Sequence, residues 1–294
     1  LSEAQELSGR VWAAFAALSL IWGIPYLLIK LAIVDLSPPV IAWARVTLGT
    51  CVLLPIAWRR GALRSLDEHK GALLVFSLVE FVIPFTAIAL GERWVSSSVT
   101  GILIATVPLS VAMLARAFGL HEPLTSRRIA GLILGLLGVT CLLGLGTISG
   151  LYGWLGVGCM LLSAFGYSLG PLIIQRHLQG LDASGPLAVS LGVSSVLLAA
   201  PAWWARPMQA PGSVALLAVV LLGLVCTAVA MLLLFYLVAK AGAGRASLIT
   251  YVNPAVAAVL GTLLLHEHLG LGGVIGFMLI LWGSWLASRR AAGH

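Results

Sequence analysis

The stretch Leu265-His266-Glu267-His268-Leu269 repeats an earlier one, Leu120-His121-Glu122-Pro123-Leu124. Each stands about 12 residues after a proline: Pro254 in Tyr251-Val252-Asn253-Pro254, and Pro108 in Ala105-Thr106-Val107-Pro108. Each is followed by two glycines seven apart, Gly276 and Gly283 in one case, Gly131 and Gly138 in the other. Farther out, a shift of about 146 residues lays Pro25 on Pro171 and Lys30 on Arg176. Such an ordered set is hard to produce by chance. The chain therefore reads as a duplication, residues 1–147 and 148–294, with the N-terminal part of the repeat weaker than the C-terminal part.

Composition says what is duplicated. Of 294 residues, 60% are hydrophobic and 9% charged, whereas a soluble domain carries roughly 25% charged residues. That excludes a soluble enzyme, a nucleic-acid-binding module and a disordered chain. Ten apolar runs are long enough to approach the roughly 20 residues that cross a bilayer: 11–33, 39–58, 71–90, 97–118, 129–147, 151–174, 186–204, 213–238, 246–265 and 270–287. The first is too long for a signal-peptide core and is expected to be retained. The expected fold is an all-α integral membrane protein of ten transmembrane helices, five in each half. Five is odd, so the second half enters the membrane from the opposite side, the inverted-repeat plan of many secondary transporters.

The net charge of +7 points to topology, not to an anionic partner. Arg10, the cluster Arg59, Arg60, Arg64 and Lys70, then Arg116, Arg127, Arg128, Arg176, Lys240, Arg245, Arg289 and Arg290 share one side of a ten-span chain. Lys30, Arg45, Arg93 and Arg206 lie at or toward the other. The positive-inside rule then puts both termini in the cytoplasm, as expected of a bacterial inner-membrane protein.

The residues resemble a known family. Leu20-Ile21-Trp22-Gly23-Ile24-Pro25-Tyr26-Leu27-Leu28-Ile29-Lys30, then Ser37-Pro38-Pro39 running to Ala44-Arg45, are similar to the opening of the EamA-type drug/metabolite transporter (DMT) superfamily. So are Pro108 and Pro254 with the His-Glu pairs that follow them; a Gly-Glu pair is commoner there, and His121 and His266 replace the glycine. In size and charge pattern the chain resembles the YddG-type exporters of aromatic amino acids. The resemblance implies two inverted five-helix units around a cavity lined mainly by spans 1, 3, 4, 6, 8 and 9.

Candidate site residues follow from polarity at depth. Glu80, in Leu78-Val79-Glu80-Phe81, lies mid-span. An ionisable group there is costly unless it faces a wet cavity or finds a partner. It is either a cavity carboxylate that binds an ammonium or carries a proton, or a protonated group bonded to a neighbouring helix. Ser77, Glu80 and Pro84 share a helical face at i, i+3 and i+7. Tyr236 and Lys240 close span 8; Lys240 is either a partner for a solute carboxylate or Glu80, or a snorkelling anchor. Trp22, Tyr26, Tyr167 and Tyr251 lie deep enough to wall a cavity for an amphipathic solute. Trp43, Trp58, Trp94, Trp154, Trp203, Trp204, Trp282 and Trp285 sit near span ends, as interfacial belts do. Pro25, Pro84, Pro108, Pro171 and Pro254 interrupt spans 1, 3, 4, 6 and 9, each removing a backbone donor, and are expected to act as hinges.

Other motifs carry less. The pairs Gly131/Gly135, Gly166/Gly170 and Gly272/Gly276 read as close helix packing, with a dimer seam on spans 5 and 10 as the alternative. His266-Glu267-His268 lacks metal-site spacing, and Cys51, Cys141, Cys159 and Cys226 fall singly in apolar runs. No metal, cofactor or nucleic acid is expected; the partners are a small-molecule solute and the lipid bilayer, with the chain a monomer or homodimer. With no ATP-binding motif, the expected function is secondary transport by alternating access, exporting aromatic or neutral amino acids or similar small amphipathic metabolites. A nucleotide-sugar or phosphorylated-metabolite exchanger is the alternative within transport. A membrane enzyme or a non-transporting scaffold is the alternative outside it.

Overall fold

The computed structural model describes residues 9–64, 66–114, 126–144, 148, 150–241, 246, 249, 252–266 and 270–288. Among these residues it is helical throughout, with no strand. Run 1 holds α1 (Gly9–Ile21) and α2 (Pro25–Ala32), and run 2 is α3 (Pro38–Arg59). Run 3 is α4 (Lys70–Phe76), a π-helical segment Ser77–Val82 and α5 (Ile83–Gly91). Run 4 holds α6 (Ser97–Ile104) and α7 (Val107–Leu114); α8 (Ser126–Gly144) is run 5. Run 6 is α9 (Gly150–Ile173) with a π-helical end, Ile174–Leu178, and run 7 is α10 (Ser184–Trp204). Run 8 is α11 (Ser213–Gly223), a π-helical segment Leu224–Val229 and α12 (Ala230–Ala241). Runs 9 and 10 are α13 (Asn253–Leu264) and α14 (Leu271–Ser288).

Six of these helical stretches are long and apolar enough to cross a membrane: Gly9–Ala32, Pro38–Arg59, Asp67–Gly91, Gly150–Leu178, Ser184–Trp204 and Ser213–Ala241. Shorter apolar helices cover Ser97–Val111, Ile129–Gly138, Ala255–Leu264 and Leu271–Gly283. Helices are what such a sequence must form, because lipid offers no hydrogen bonds to an open backbone. Large apolar side chains accordingly face outward, among them Trp58, Trp203, Trp204 and Trp282.

The prolines sit at helix starts more than within helices. Run 1 breaks at Trp22-Gly23-Ile24, where Gly23 and Ile24 bond back three residues to Leu20 and Ile21. Pro25, with no N–H to satisfy, then opens α2. Run 4 breaks in the same way at Ala105-Thr106, and Pro108 is the second residue of α7. Pro84 opens α5 directly after the π-helical segment and Pro254 opens α13, whereas Pro171 lies inside α9, as Pro55 does inside α3 and Pro201 inside α10. At Gly23 the broken run lies against Val256 of α13, so closely that a Cβ there would collide with it.

Helix α8 packs along α14, α3 along α10, α5 along α9, α2 along α11 and α6 along α13. The α8–α14 seam is made of glycines: a Cβ on Gly138 would lie 2.7 Å from the Ile280 nitrogen, and one on Gly283 would collide with backbone at Gly131 and Gly135. These glycines are spent on packing α8 against α14 within the chain.

Loops join the two halves as well. Ser37 Oγ donates to the Ala205 carbonyl at 2.7 Å, and the Gly212 N–H donates to Asp35 at 2.8 Å. At the other end Arg60 faces Asp182 at 3.7 Å. Asp182 accepts from the Ser184 hydroxyl (2.6 Å) and N–H (2.9 Å). Those bonds, with Arg60 adding to them, hold its carboxyl below the ordinary aspartate value.

One backbone detail explains a residue preference. α13 is capped by Leu265, whose N–H bonds to the Gly261 carbonyl, and His266 beyond it has φ 54°. That is the left-handed helix cap in which glycine is the usual residue. Gly-Glu suits this position for that reason, and His266 fills it here with some strain.

Candidate functional site

A small cavity of about 70 Å³ lies among the helices of both halves. The break in run 1 supplies Trp22, Pro25 and Tyr26; α3 supplies Arg45; the first π-helical segment supplies Glu80. Phe85 and Ile88 of α5, Ile104 and Val107 of run 4, Tyr167 and Pro171 of α9, Met231 and Leu234 of α12, Ile249 and Asn253 complete the wall. The lining runs are those implied by the family resemblance, with α3 added.

Of the residues singled out by sequence, Trp22, Tyr26, Glu80, Tyr167, Pro25 and Pro171 thus meet in one space. Ser77, Tyr236, Lys240 and Pro84 do not line it. Ser77 is fully buried, its hydroxyl donating to the Leu73 carbonyl at 2.6 Å and its carbonyl accepting from Ser194 of α10 at 3.3 Å. Tyr236 packs against the hydrophobic core beside α12, and Lys240 is exposed, with no ion pair to Glu80. Tyr251 lies outside the described residues, as do His121, Glu267 and His268.

Arg45 is the residue that sequence reasoning misplaced. It reads as a topology charge toward the outer end of run 2, yet it is 5% exposed and lines the cavity. Its Nε donates to Thr227 Oγ1 at 2.7 Å and its Nη2 to the Cys226 carbonyl at 3.2 Å. The guanidinium stacks on Phe85, 3.6 Å from the ring centroid, a favourable placement for a cation on an aromatic face. A signal was present: the run continues apolar for more than a turn on both sides of Arg45, which marks a cation at depth as functional by default.

The second π-helical segment organises this corner. The Cys226 carbonyl accepts from Arg45 and also from Trp22 Nε1 at 3.3 Å, using both its lone pairs. Thr227 Oγ1 in turn donates to the Leu222 carbonyl five residues back, at 2.8 Å, the spacing of a π turn, which is rare and concentrates at functional sites.

Glu80 stands in the first π-helical segment under different terms. It is 2% exposed, and its Oε2 has no hydrogen-bond partner. The carboxylate fits only because α9 presents Gly170, where any Cβ would collide with it, and the segment's backbone rests on Gly166. The Gly166/Gly170 pair is therefore a packing motif that also seats a carboxylate. Elsewhere on the wall, Asn253 bridges elements: its amide nitrogen donates to the Ile249 carbonyl at 3.0 Å and to the Ser19 carbonyl of α1 at 2.9 Å.

The site thus combines aromatic walls with one guanidinium and one carboxylate, and no ion pair joins the two charges. Groups of His, Cys, Asp or Glu fit to hold a metal do not occur among the described residues.

Comparison with known proteins agrees with a transport role. The chain is 24% identical over 284 residues to the uncharacterized transporter YoaV of Bacillus subtilis (strain 168), covering 94% of this chain and 96% of that one. It is 27% identical over 288 residues to an uncharacterized transporter of Archaeoglobus fulgidus, covering 96% and 99%. The uncharacterized inner membrane transporter YedA of Escherichia coli (strain K12) is 27% identical over 267 residues, covering 90% and 83%. A solved crystal structure shares the fold at a TM-score of 0.69 and 18% identity, over 95% of this chain and 96% of that one. The family model described as the EamA-like transporter family matches twice, over residues 8–144 and 154–289, once in each half of the chain. An integral membrane protein with this cavity, this doubled match and these relatives belongs to the EamA-like transporter family.

Proposed function

We propose that the chain is a secondary transporter that works by alternating access and exports small amphipathic metabolites, aromatic or neutral amino acids foremost. The observation that carries this reading is the cavity, walled by both halves and lined at the breaks in runs 1 and 4. Broken helices at a midplane site, on two related units, are how many secondary transporters expose one site to each side in turn.

The same reading takes the ten runs as ten transmembrane helices in two inverted units, 1–147 and 148–294, with both termini cytoplasmic. Packing supports it. Exchanging the two units maps the pairs of runs 5–10, 2–7 and 4–9 onto themselves, and maps 3–6 onto 8–1; all of these pairs touch, alongside others such as 4–6 and 2–8. The π-helical segments in runs 3 and 8 also correspond. So do the loop contacts, since Ser37 with Ala205 and Arg60 with Asp182 each join loops that a ten-span topology puts on one side. Pro25, Pro84, Pro108, Pro171 and Pro254, at or beside helix breaks and π turns, are proposed as the hinges.

The wall suits such a solute. Trp22, Tyr26, Tyr167 and Phe85 offer ring faces that bury apolar surface. A phosphorylated solute asks for several convergent cations, and the lining holds Arg45 alone beside Glu80.

The test is uptake by purified protein in liposomes, over a panel of labelled amino acids with sugars and phosphates as controls, with and without a pH gradient. Saturable uptake of aromatic or aliphatic amino acids, absent from empty liposomes, is expected. Uptake of phosphorylated solutes alone would move the chain to the exchanger class.

A further inference from the structure

We infer that the cavity recognises the α-amino acid head group at both its charges, Arg45 taking the carboxylate and Glu80 the ammonium. This rests on the amino-acid reading above and sharpens it into a rule about which solutes are refused.

The donor and acceptor count carries the inference. A guanidinium has five N–H donors; Thr227 and the Cys226 carbonyl occupy two, which leaves three with no partner among the described residues. The Phe85 ring beneath it and the two bonds behind it fix the plane of the fork, so the open edge is preorganised for a carboxylate. Glu80 offers the complement: its carboxylate lines the same cavity yet is not paired with Arg45, and its Oε2, which lies buried against Gly170, lacks a donor until the side chain turns toward a ligand. A buried acceptor left unmade is expensive. An ammonium and a carboxylate carried on one small molecule satisfy both groups at once and bring no net charge into the membrane. An amine satisfies Glu80 and leaves Arg45 open; a carboxylic acid does the reverse. Both should therefore be poor ligands even when their side chain matches.

The experiment is competition against labelled amino-acid uptake in proteoliposomes, using L-phenylalanine, 2-phenylethylamine and 3-phenylpropionate, or the matching trio for whichever neutral amino acid is carried best. Each single-charge analogue is expected to compete at least about tenfold more weakly than the amino acid, since a hydrogen bond to a charged group is worth that much. Arg45→Gln should erase the preference over the amine and keep that over the acid, and Glu80→Gln should do the opposite. Saturable amino-acid uptake that both analogues inhibit as well as the amino acid does would overturn this inference and leave the transport reading standing. So would variants that lose all fluxes together with unchanged ratios, because that is the mark of a structural role. No uptake of any neutral amino acid, with flux of another solute, would overturn the amino-acid reading and the inference with it. Wild-type competition needs no variant, so a variant that fails to fold does not shield the inference.

Discussion

The π-helical segments Ser77–Val82 and Leu224–Val229 hold matching places about 147 residues apart, and they treat charge in opposite ways. The second is saturated: Thr227 and the Cys226 carbonyl hold Arg45, and Cys226 holds Trp22 as well. The first carries Glu80 with an oxygen that nothing donates to. One backbone device thus serves as a clamp in one half and as an open acceptor in the other.

The contrast predicts unequal costs. Arg45→Met removes two buried charge-assisted bonds and the stack on Phe85, and should lower unfolding stability by about 3 kcal/mol. Glu80→Gln, which neutralises an unsatisfied carboxylate, should leave stability unchanged or raise it. Thermal unfolding of the two variants in detergent checks this; equal losses would break the contrast.

A second pair separates packing from charge within α9. A Cβ on Gly166 would lie 2.5 Å from the Val79 carbonyl, against backbone that cannot swing away, so Gly166→Ala should cost about 2 kcal/mol. At Gly170 the obstructed atom is the mobile end of Glu80, so Gly170→Ala should cost less than about 1 kcal/mol while sharply reducing uptake. If Gly170→Ala transports normally, the position of the Glu80 carboxylate does not matter.

The smallest effect lies beyond the third π-helical segment, Ile174–Leu178, in a loop. Asp182 is held ionised chiefly by the Ser184 hydroxyl, so its contribution is present above the ordinary aspartate value. It is lost as pH falls through the depressed folded value, below about pH 4. The side chain is 41% exposed, so screening limits the contribution to less than about 0.5 kcal/mol. Asp182→Asn should remove that acid-side slope in unfolding experiments and leave transport untouched, unlike either cavity charge.

The misplacement of Ser77 has the same origin as the contrast. Ser77 and Glu80 share a face only if the helix turns at 3.6 residues, and both lie in a segment with a wider turn. Glu80 consequently reaches the cavity while the Ser77 hydroxyl turns back to the Leu73 carbonyl. Lys240 was ambiguous because a long basic side chain at a span end looks alike whether it binds or anchors; it is exposed.

What the sequence by itself determined is what depends on local chemistry and period. Apolar runs of spanning length, their separation by charged loops, and prolines at helix breaks were legible, because lipid penalises every open backbone bond. Trp22, Tyr26, Glu80 and Tyr167 were legible as polar or amphipathic groups set too deep for an interface. Only the tertiary structure decided Arg45. Its partners, Cys226 and Thr227, lie about 180 residues away, and a cation's role depends on which carbonyl and ring enclose it. Sequence spacing does not encode the rotation of one helix against another; packing at Gly166, Gly170 and the glycine seam does.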